Sequence, residues 1–528
     1  MKALFTDAVL YAPDKLKGDS MAVDGGRIVE IGTRGKLAGL TRRGFKKISL
    51  KGRTVVPGFI DSHLHLLSLG YDLFAVNLAG IDTLEKALAK IAAAAQKLPS
   101  GQWLIGRGWD KNLWGDDFPD KTMLDKVCPN NPARFFSKDG HCLWINSRAL
   151  SYCDIDASTP DPDGGAIERS VDGSPTGILF ENAADLVAKK LPDNSTEFKL
   201  KALKRSISYL NSQGITGVGD CDWNSNRLGL FQTAAAKGFL NLRIFMMLSP
   251  RDIDSARQLG IRTGFGNGLI TIGALKLYMD GSLGSQTAWM HEPYEGHPGN
   301  VGIPTLSDDQ LEMYFEKTHL NGISLAIHAI GDRANTALLD FFAKKYAVSK
   351  KLGLKHRIEH AQLLTRADIG KFKKNDVAAA VQPIHIIADI DMADKYWGKR
   401  GKYAYPFASL LKTGATLGFG SDAPVEDPNP LLGLYAAVTR KRPDETRESW
   451  YGEQRISLKQ ALAAYTKGSA QICSWEGQTG EIKVGARADF VILSENLFKV
   501  NLEQLPKIKA LATVVDGDFV YRDKAFKI

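Results

Sequence analysis

Short apolar runs alternate with stretches of helical periodicity along most of the chain. That alternation marks a parallel α/β fold, because each buried strand needs a helical crossover before the next can pair beside it. Eight runs read as strands: residues 55–61, 217–222, 242–248, 274–279, 324–328, 357–360, 377–382 and 416–420. Helical patterns at 197–211, 309–320 and 336–346 separate several of them. Eight strand–helix repeats suit a closed barrel better than an open sheet, so the expected fold is α/β, a (β/α)8 TIM-type barrel.

The two ends read differently. Met21-Ala22-Val23 leads through Asp24-Gly25-Gly26 into Arg27-Ile28-Val29-Glu30-Ile31-Gly32, a tight hairpin pattern. Residues 488–493, 512–515 and 519–521 repeat that texture around the turn Asp516-Gly517-Asp518. Neither end has enough strands for a stable sheet of its own. Residues 1–55 and 478–528 are therefore expected to share one small composite β-sandwich, with the barrel in 56–477. One gap is too long. About 155 residues lie between the first and second strands, where a βα connection takes roughly 2–6. Within it lie a helical pattern at 83–98 and a Gly/Pro/Asp-rich segment at 154–177. Residues 99–194 are expected to form an inserted subdomain over the barrel mouth.

Composition narrows the possible partners. Hydrophobic residues make up 44% and charged residues 24% of the 528, which excludes wholesale disorder. The formal charge of +9 is spread along the chain in pairs such as Lys344-Lys345 and Lys373-Lys374. With no base-stacking or groove-reading motif beside it, this charge reads as a solvated surface and not as a nucleic-acid groove. A small-molecule substrate is expected. Cys128, Cys142, Cys153, Cys221 and Cys473 form no C-x-x-C pair, which fits a reducing compartment. No apolar run approaches ~18 residues, so no membrane partner is expected and the location reads as cytoplasmic.

The chemistry concentrates at strand ends. In Val55-Val56-Pro57-Gly58-Phe59-Ile60-Asp61-Ser62-His63-Leu64-His65, the two histidines are two apart and so project to one side of an extended strand. Two converging imidazoles form half of a metal site. His328 ends the fifth run, His360 ends the sixth, and Asp422 follows the eighth. The carboxyl ends of barrel strands are where such folds build their active sites. Asp280 follows the fourth run, Asp332 and Arg333 follow His328, and Gln382 and His385 end the seventh or follow it. Each is a candidate substrate contact, with a loop-capping carboxylate or a surface ion pair as the plainer alternative. Trp109, Trp114, Trp144, Trp289 and Trp397 are candidates for an apolar pocket wall, Trp109 foremost, although aromatic residues more often pack a core.

These residues carry a resemblance. The chain resembles the amidohydrolase superfamily, and within it the amidohydrolase 3 group that includes N-substituted formamide deformylases. The likeness runs through the V-P-G-F-I-D-x-H-x-H opening, 275–285 around Lys276, His328-Ala329-Ile330-Gly331-Asp332-Arg333-Ala334, Gly420-Ser421-Asp422-Ala423-Pro424 and the stretch 480–489. It implies one or two divalent ions per chain, commonly Zn2+. His63 and His65 would bind the more buried ion and His328 and His360 the other, with Asp422 beside them. Lys276 would bridge as a carbamate, since a lysine ammonium has no lone pair for a metal. The plainer alternative for Lys276 is an ordinary ion pair with Asp280 or Asp422. His141 matches a recurring stretch of the group and reads as pocket-facing, with a structural hydrogen bond as its rival. Members are often homodimers, which leaves that state open.

The implied reaction is hydrolysis of a C–N bond in an amide, N-formyl, carbamate or similar compound by a metal-activated hydroxide, with Asp422 as proton shuttle. C–O hydrolysis or deamination at the same site is an alternative. A catalytically silent relative is another, although it should have lost ligands that are all present here.

Overall fold

Eight parallel strands form the central sheet: β1 (Phe59–Leu64), β2 (Ile215–Asp220), β3 (Arg243–Leu248), β4 (Ile270–Tyr278), β5 (Leu325–Ala329), β6 (Arg357–His360), β7 (Ala378–Val381) and β8 (Leu417–Phe419). They lie in sequence order, each paired in parallel with the next. The computed structural model describes all residues except 12–17, 116, 139, 141, 163–164, 192–193, 224–225 and 527–528, and the side chain of residue 112. Three hydrogen bonds bring the last strand to the first. Asp422 N donates to His63 O at 2.7 Å, His65 N to Ala423 O at 2.7 Å, and Ser62 Oγ to Phe419 O at 2.9 Å. The sheet is a nearly closed (β/α)8 barrel. Its floor is apolar, with Phe245, Met247, Ala274, Ala326 and Ala380 packed against Ile472, Cys473 and Trp475 from the segment after β8.

The first expected strand, 55–61, is two strands. Thr54–Pro57 pairs with Phe490–Leu493 in a different sheet, and only after Gly58 does the chain enter the barrel. A Cβ on Gly58 would lie 2.3 Å from the Thr216 side chain, so the chain changes sheets at the one residue small enough to pass there.

Two sheets from the chain ends face each other. One orders Arg27–Gly32, Ser20–Asp24, Ala3–Thr6 and Lys46–Ser49. The other orders Val9–Leu10, Thr54–Pro57, Phe490–Leu493, Ala510–Val515 and Asp518–Arg522. Phe5, Met21, Val23, Ile48, Phe490, Ile492 and Val514 fill the space between them. The buried Arg243 at the start of β3 donates to Asp489 Oδ2 at 2.6 Å, Asp489 Oδ1 at 2.8 Å and Asp516 Oδ1 at 2.6 Å, tying barrel to sandwich.

Leu67–Ala202 forms a second compact unit. It holds a six-stranded mixed sheet ordered Gly165–Arg169, Pro175–Glu181, Cys142–Ile145, Ala133–Ser137, Leu104–Trp109 and Val76–Asn77. The unit is wider than the expected 99–194, because helix Leu84–Ala95 buries Ala87 and Ile91 against Leu104, Trp109 and Leu124. Among the described residues no helix is long and apolar enough to cross a membrane.

Candidate metal centre

His63 lies on the buried inner face at the end of β1, and His65 follows where the strand leaves the sheet. The backbone bonds that close β8 onto β1 carry Asp422 to them. Asp422 Oδ1 lies 3.3 Å from His63 Nε2 and 3.3 Å from His65 Nε2, and Oδ2 lies 3.5 Å from His385 Nε2. The His360 ring is 4.7 Å from that of His63 and 4.5 Å from that of His328, centre to centre. One donor atom each from His63, His360 and Asp422 lie within 4.8 Å of one another, all three side chains being buried. His63, His65, His328, His360 and Asp422, read from four strand ends, therefore meet in one place.

Backbone strain helps to aim them. His360 has φ +70°, Ala361 +41° and Asp422 +62°. Left-handed backbone at a non-glycine residue costs on the order of 1–2 kcal/mol. Along a regular strand Glu359 and His360 would face opposite sides. The turn at His360 lets both reach the same cluster.

Acceptors behind each ring sort its nitrogens. His63 Nδ1 is 2.5 Å from Glu359 Oε2, His360 Nδ1 donates to Gln382 Oε1 at 2.9 Å, and His328 Nε2 donates to Gly281 O at 2.9 Å. Fixing one nitrogen as the donor leaves the other with its lone pair, the form that binds a cation. Burial, and then the Lys276 charge, push His328 down to about 3. Burial and the neighbouring His328 and His63 hold His360 well below the usual range. Both are neutral. For His65 burial opposes charge, but Asp222 and Asp422 outweigh it and carry the ring up to about 10. Asp422 is itself held well below the usual carboxylate range, where burial is overcome by His385, His63 and His65. The anionic groups here favour positive charge between them, as a proton or as a metal cation.

Lys276 extends from β4 into this interior. It is buried, its Nζ has no hydrogen-bond partner among the described residues, and it lies 3.9 Å from the Tyr278 ring centre. Burial lowers its pKa. The expected alternative, an ion pair with Asp280 or Asp422, does not form.

The candidate substrate contacts fare differently. Trp109 is 1% exposed, packs in the core of its own unit and donates through Nε1 to Phe135 O at 2.7 Å. Trp144 and Trp397 are buried too, so these three indoles do not line a pocket. Asp280 caps loops: its carboxylate accepts from Trp289 N at 2.9 Å, Ile330 N at 3.0 Å and Gly331 N at 2.8 Å. Asp332 opens helix Asp332–Leu352 and accepts from His291 N at 2.9 Å, while Arg333 stacks 4.7 Å over the Trp289 ring. Gln382 backs His360 and does not face open space. His141 lies outside the described residues. Glu359, Asp222 and Asp61 were not singled out from the sequence. Asp61 accepts from His63 N at 3.2 Å and Ser421 N at 3.0 Å, bracing both sides of the seam. The period of two that put His63 on the inner face also puts Asp61 there.

Fold and cluster together define a class, a metal-dependent hydrolase on a TIM-type barrel. Residues 46–521 match the sequence model of the Amidohydrolase family, and the chain belongs to that family. It is 33% identical to Protein LONG AFTER FAR-RED 3 of Arabidopsis thaliana over 98% of this chain and 91% of that one. It is 26% identical to the N-substituted formamide deformylase of Arthrobacter pascens, over 95% and 94% of the two chains. Among solved structures, a metal-dependent hydrolase of Pyrococcus horikoshii superposes with TM-score 0.80 at 28% identity, over 95% of this chain and 99% of that one.

Proposed function

We propose that the chain hydrolyses the C–N bond of an amide, N-formyl or related small compound at this cluster, with Asp422 carrying the proton. The observation behind this reading is the ionised Asp422 carboxylate, buried within 3.5 Å of three imidazoles at the seam of the barrel. The donor set suits a divalent ion. His63, His65, His328, His360 and Asp422 offer imidazole and carboxylate ligands, the chemistry zinc favours. Lys276 supports the same reading, because an unpaired buried amine drawn toward its neutral form can add carbon dioxide. The new N–C bond turns Nζ into a carbamate as a proton leaves, giving an anionic ligand where a cation stood. A divalent ion held there supplies Lewis acidity, which makes water nucleophilic near neutral pH.

The protein's own groups do the rest. Asp422 takes the proton from the attacking water and returns it to the leaving nitrogen, and His385 holds Oδ2 in place. The likeness to a formamide deformylase favours the C–N class.

Asp422→Asn is expected to lower turnover of N-substituted formamides or amides at least ~100-fold per bound ion, measured on protein that still holds metal. Activity within about tenfold of wild type would remove Asp422 from proton transfer. Wild-type turnover of esters but of no C–N substrate would favour the C–O reading.

A further inference from the structure

Glu359 and Arg357 are paired deep in the barrel, both essentially inaccessible to water. Arg357 donates through Nε to Glu359 Oε1, and through Nη2 to Glu359 Oε2 at 3.1 Å and Ser62 O at 2.7 Å. Glu359 Oε2 in turn sits 2.5 Å from His63 Nδ1. One guanidinium thus holds the backbone beside His63 and also the carboxylate behind its ring. Replacing a buried ion pair by apolar residues is often neutral or stabilising. Stability alone is therefore a weak reason for this pair among Phe245, Ala326 and Cys473.

We propose that Glu359, clamped by Arg357, is the positioning residue of this centre: it accepts a hydrogen bond from His63 Nδ1–H and so turns His63 Nε2 toward the space it shares with Asp422 and His360. The inference rests on reading the cluster as a metal site. Donor atoms of His63, Cys221 and Glu359 also lie within 4.8 Å of one another. Glu359 is nonetheless already committed to Arg357 and His63, which leaves it behind the ring as an acceptor and not beside a cation.

The test uses two variants of the full chain. Arg357→Met/Glu359→Leu removes the pair without stranding a charge, and Glu359→Gln keeps an acceptor at normal size. Zinc dissociation constants are measured by chelator competition for each, in the wild-type and His63→Ala backgrounds. The paired variant is expected to bind zinc ~10–100-fold more weakly, Glu359→Gln to lose less, and neither to matter once His63 is gone. Unchanged affinity, or the same loss in both backgrounds, would overturn the proposal. So would a thiolate charge-transfer band in the cobalt-substituted protein that vanishes in Cys221→Ser, because Glu359 would then be standing beside a ligand of the ion. A wild-type chain without bound metal would sink the metal-site reading itself, which is a separate result.

Discussion

A buried lysine with nothing to hydrogen-bond is an expensive residue. Among the described residues Lys276 keeps only the Tyr278 ring, while His328 loses basicity to burial and then to the Lys276 charge. If the amine were merely structural, a small apolar residue would be tolerated or would stabilise the fold. If it becomes a carbamate, Lys276→Ala should lose metal, and short carboxylic acids such as acetate should restore part of both metal and turnover by filling the space left. Elemental analysis with and without the acid reads this directly, and retained metal without any rescue would count against the bridge. At this scale the sequence exposed what strand periodicity controls. His63, His65, His328, His360 and Asp422 were legible because each stands at a strand end. Glu359 was not, since its place beside His360 depends on a positive φ that no periodicity reports. Asp280 was ambiguous because a capping carboxylate and a substrate contact look the same in sequence.

The start of β6 is secured by His356. Its Nδ1 accepts from Leu325 N at 3.0 Å, its Nε2 is 2.9 Å from Ser349 Oγ, and it thereby joins β5, β6 and helix Asp332–Leu352. Burial pushes this ring down to about 3, against about 6.5 for an unfolded histidine. Below that higher value the unfolded chain takes up a proton that the folded chain refuses. The contribution of His356 is therefore full above about pH 6.5 and is lost as pH falls toward 3, at up to ~1.4 kcal/mol per pH unit. Urea unfolding of wild type and His356→Gln at pH 8, 6 and 5 tests this. The variant should be less stable at pH 8, and the gap should narrow as pH falls; a constant gap would mean that the ring is not held neutral. Most strands were readable because a buried parallel strand is a short apolar run with punctuation at each end. The error over 55–61 arose because two strands in different sheets read as one run, and only the contact of Gly58 with Thr216 separates them.

Two deletions separate the parts of the molecule that build the centre from those that do not. Every candidate ligand lies outside Leu67–Ala202, and that unit has its own sheet and its own apolar clusters. Its true limits were hidden in the sequence, because the allegiance of helix Leu84–Ala95 is decided by packing and not by its own pattern. Replacing residues 67–195 with a short Gly/Ser linker keeps helix Thr196–Ser212, the crossover from β1 to β2. The shortened chain is expected to fold and hold metal while its substrate profile changes. An unchanged profile would mean that the inserted unit takes no part in selection. Truncation after residue 477 should do the reverse. It removes Asp489 and Asp516 from the 1%-exposed Arg243 and strips Phe490–Leu493 from Thr54–Pro57, the strand that runs through Gly58 into β1. A stranded buried charge costs ~3–5 kcal/mol, a large share of the ~5–15 kcal/mol that keeps a domain folded. Thermal unfolding and metal analysis of the two chains side by side decide the matter. If residues 1–477 fold and bind metal, the sandwich is an accessory; if they do not, the C-terminal strands set the register that places His63.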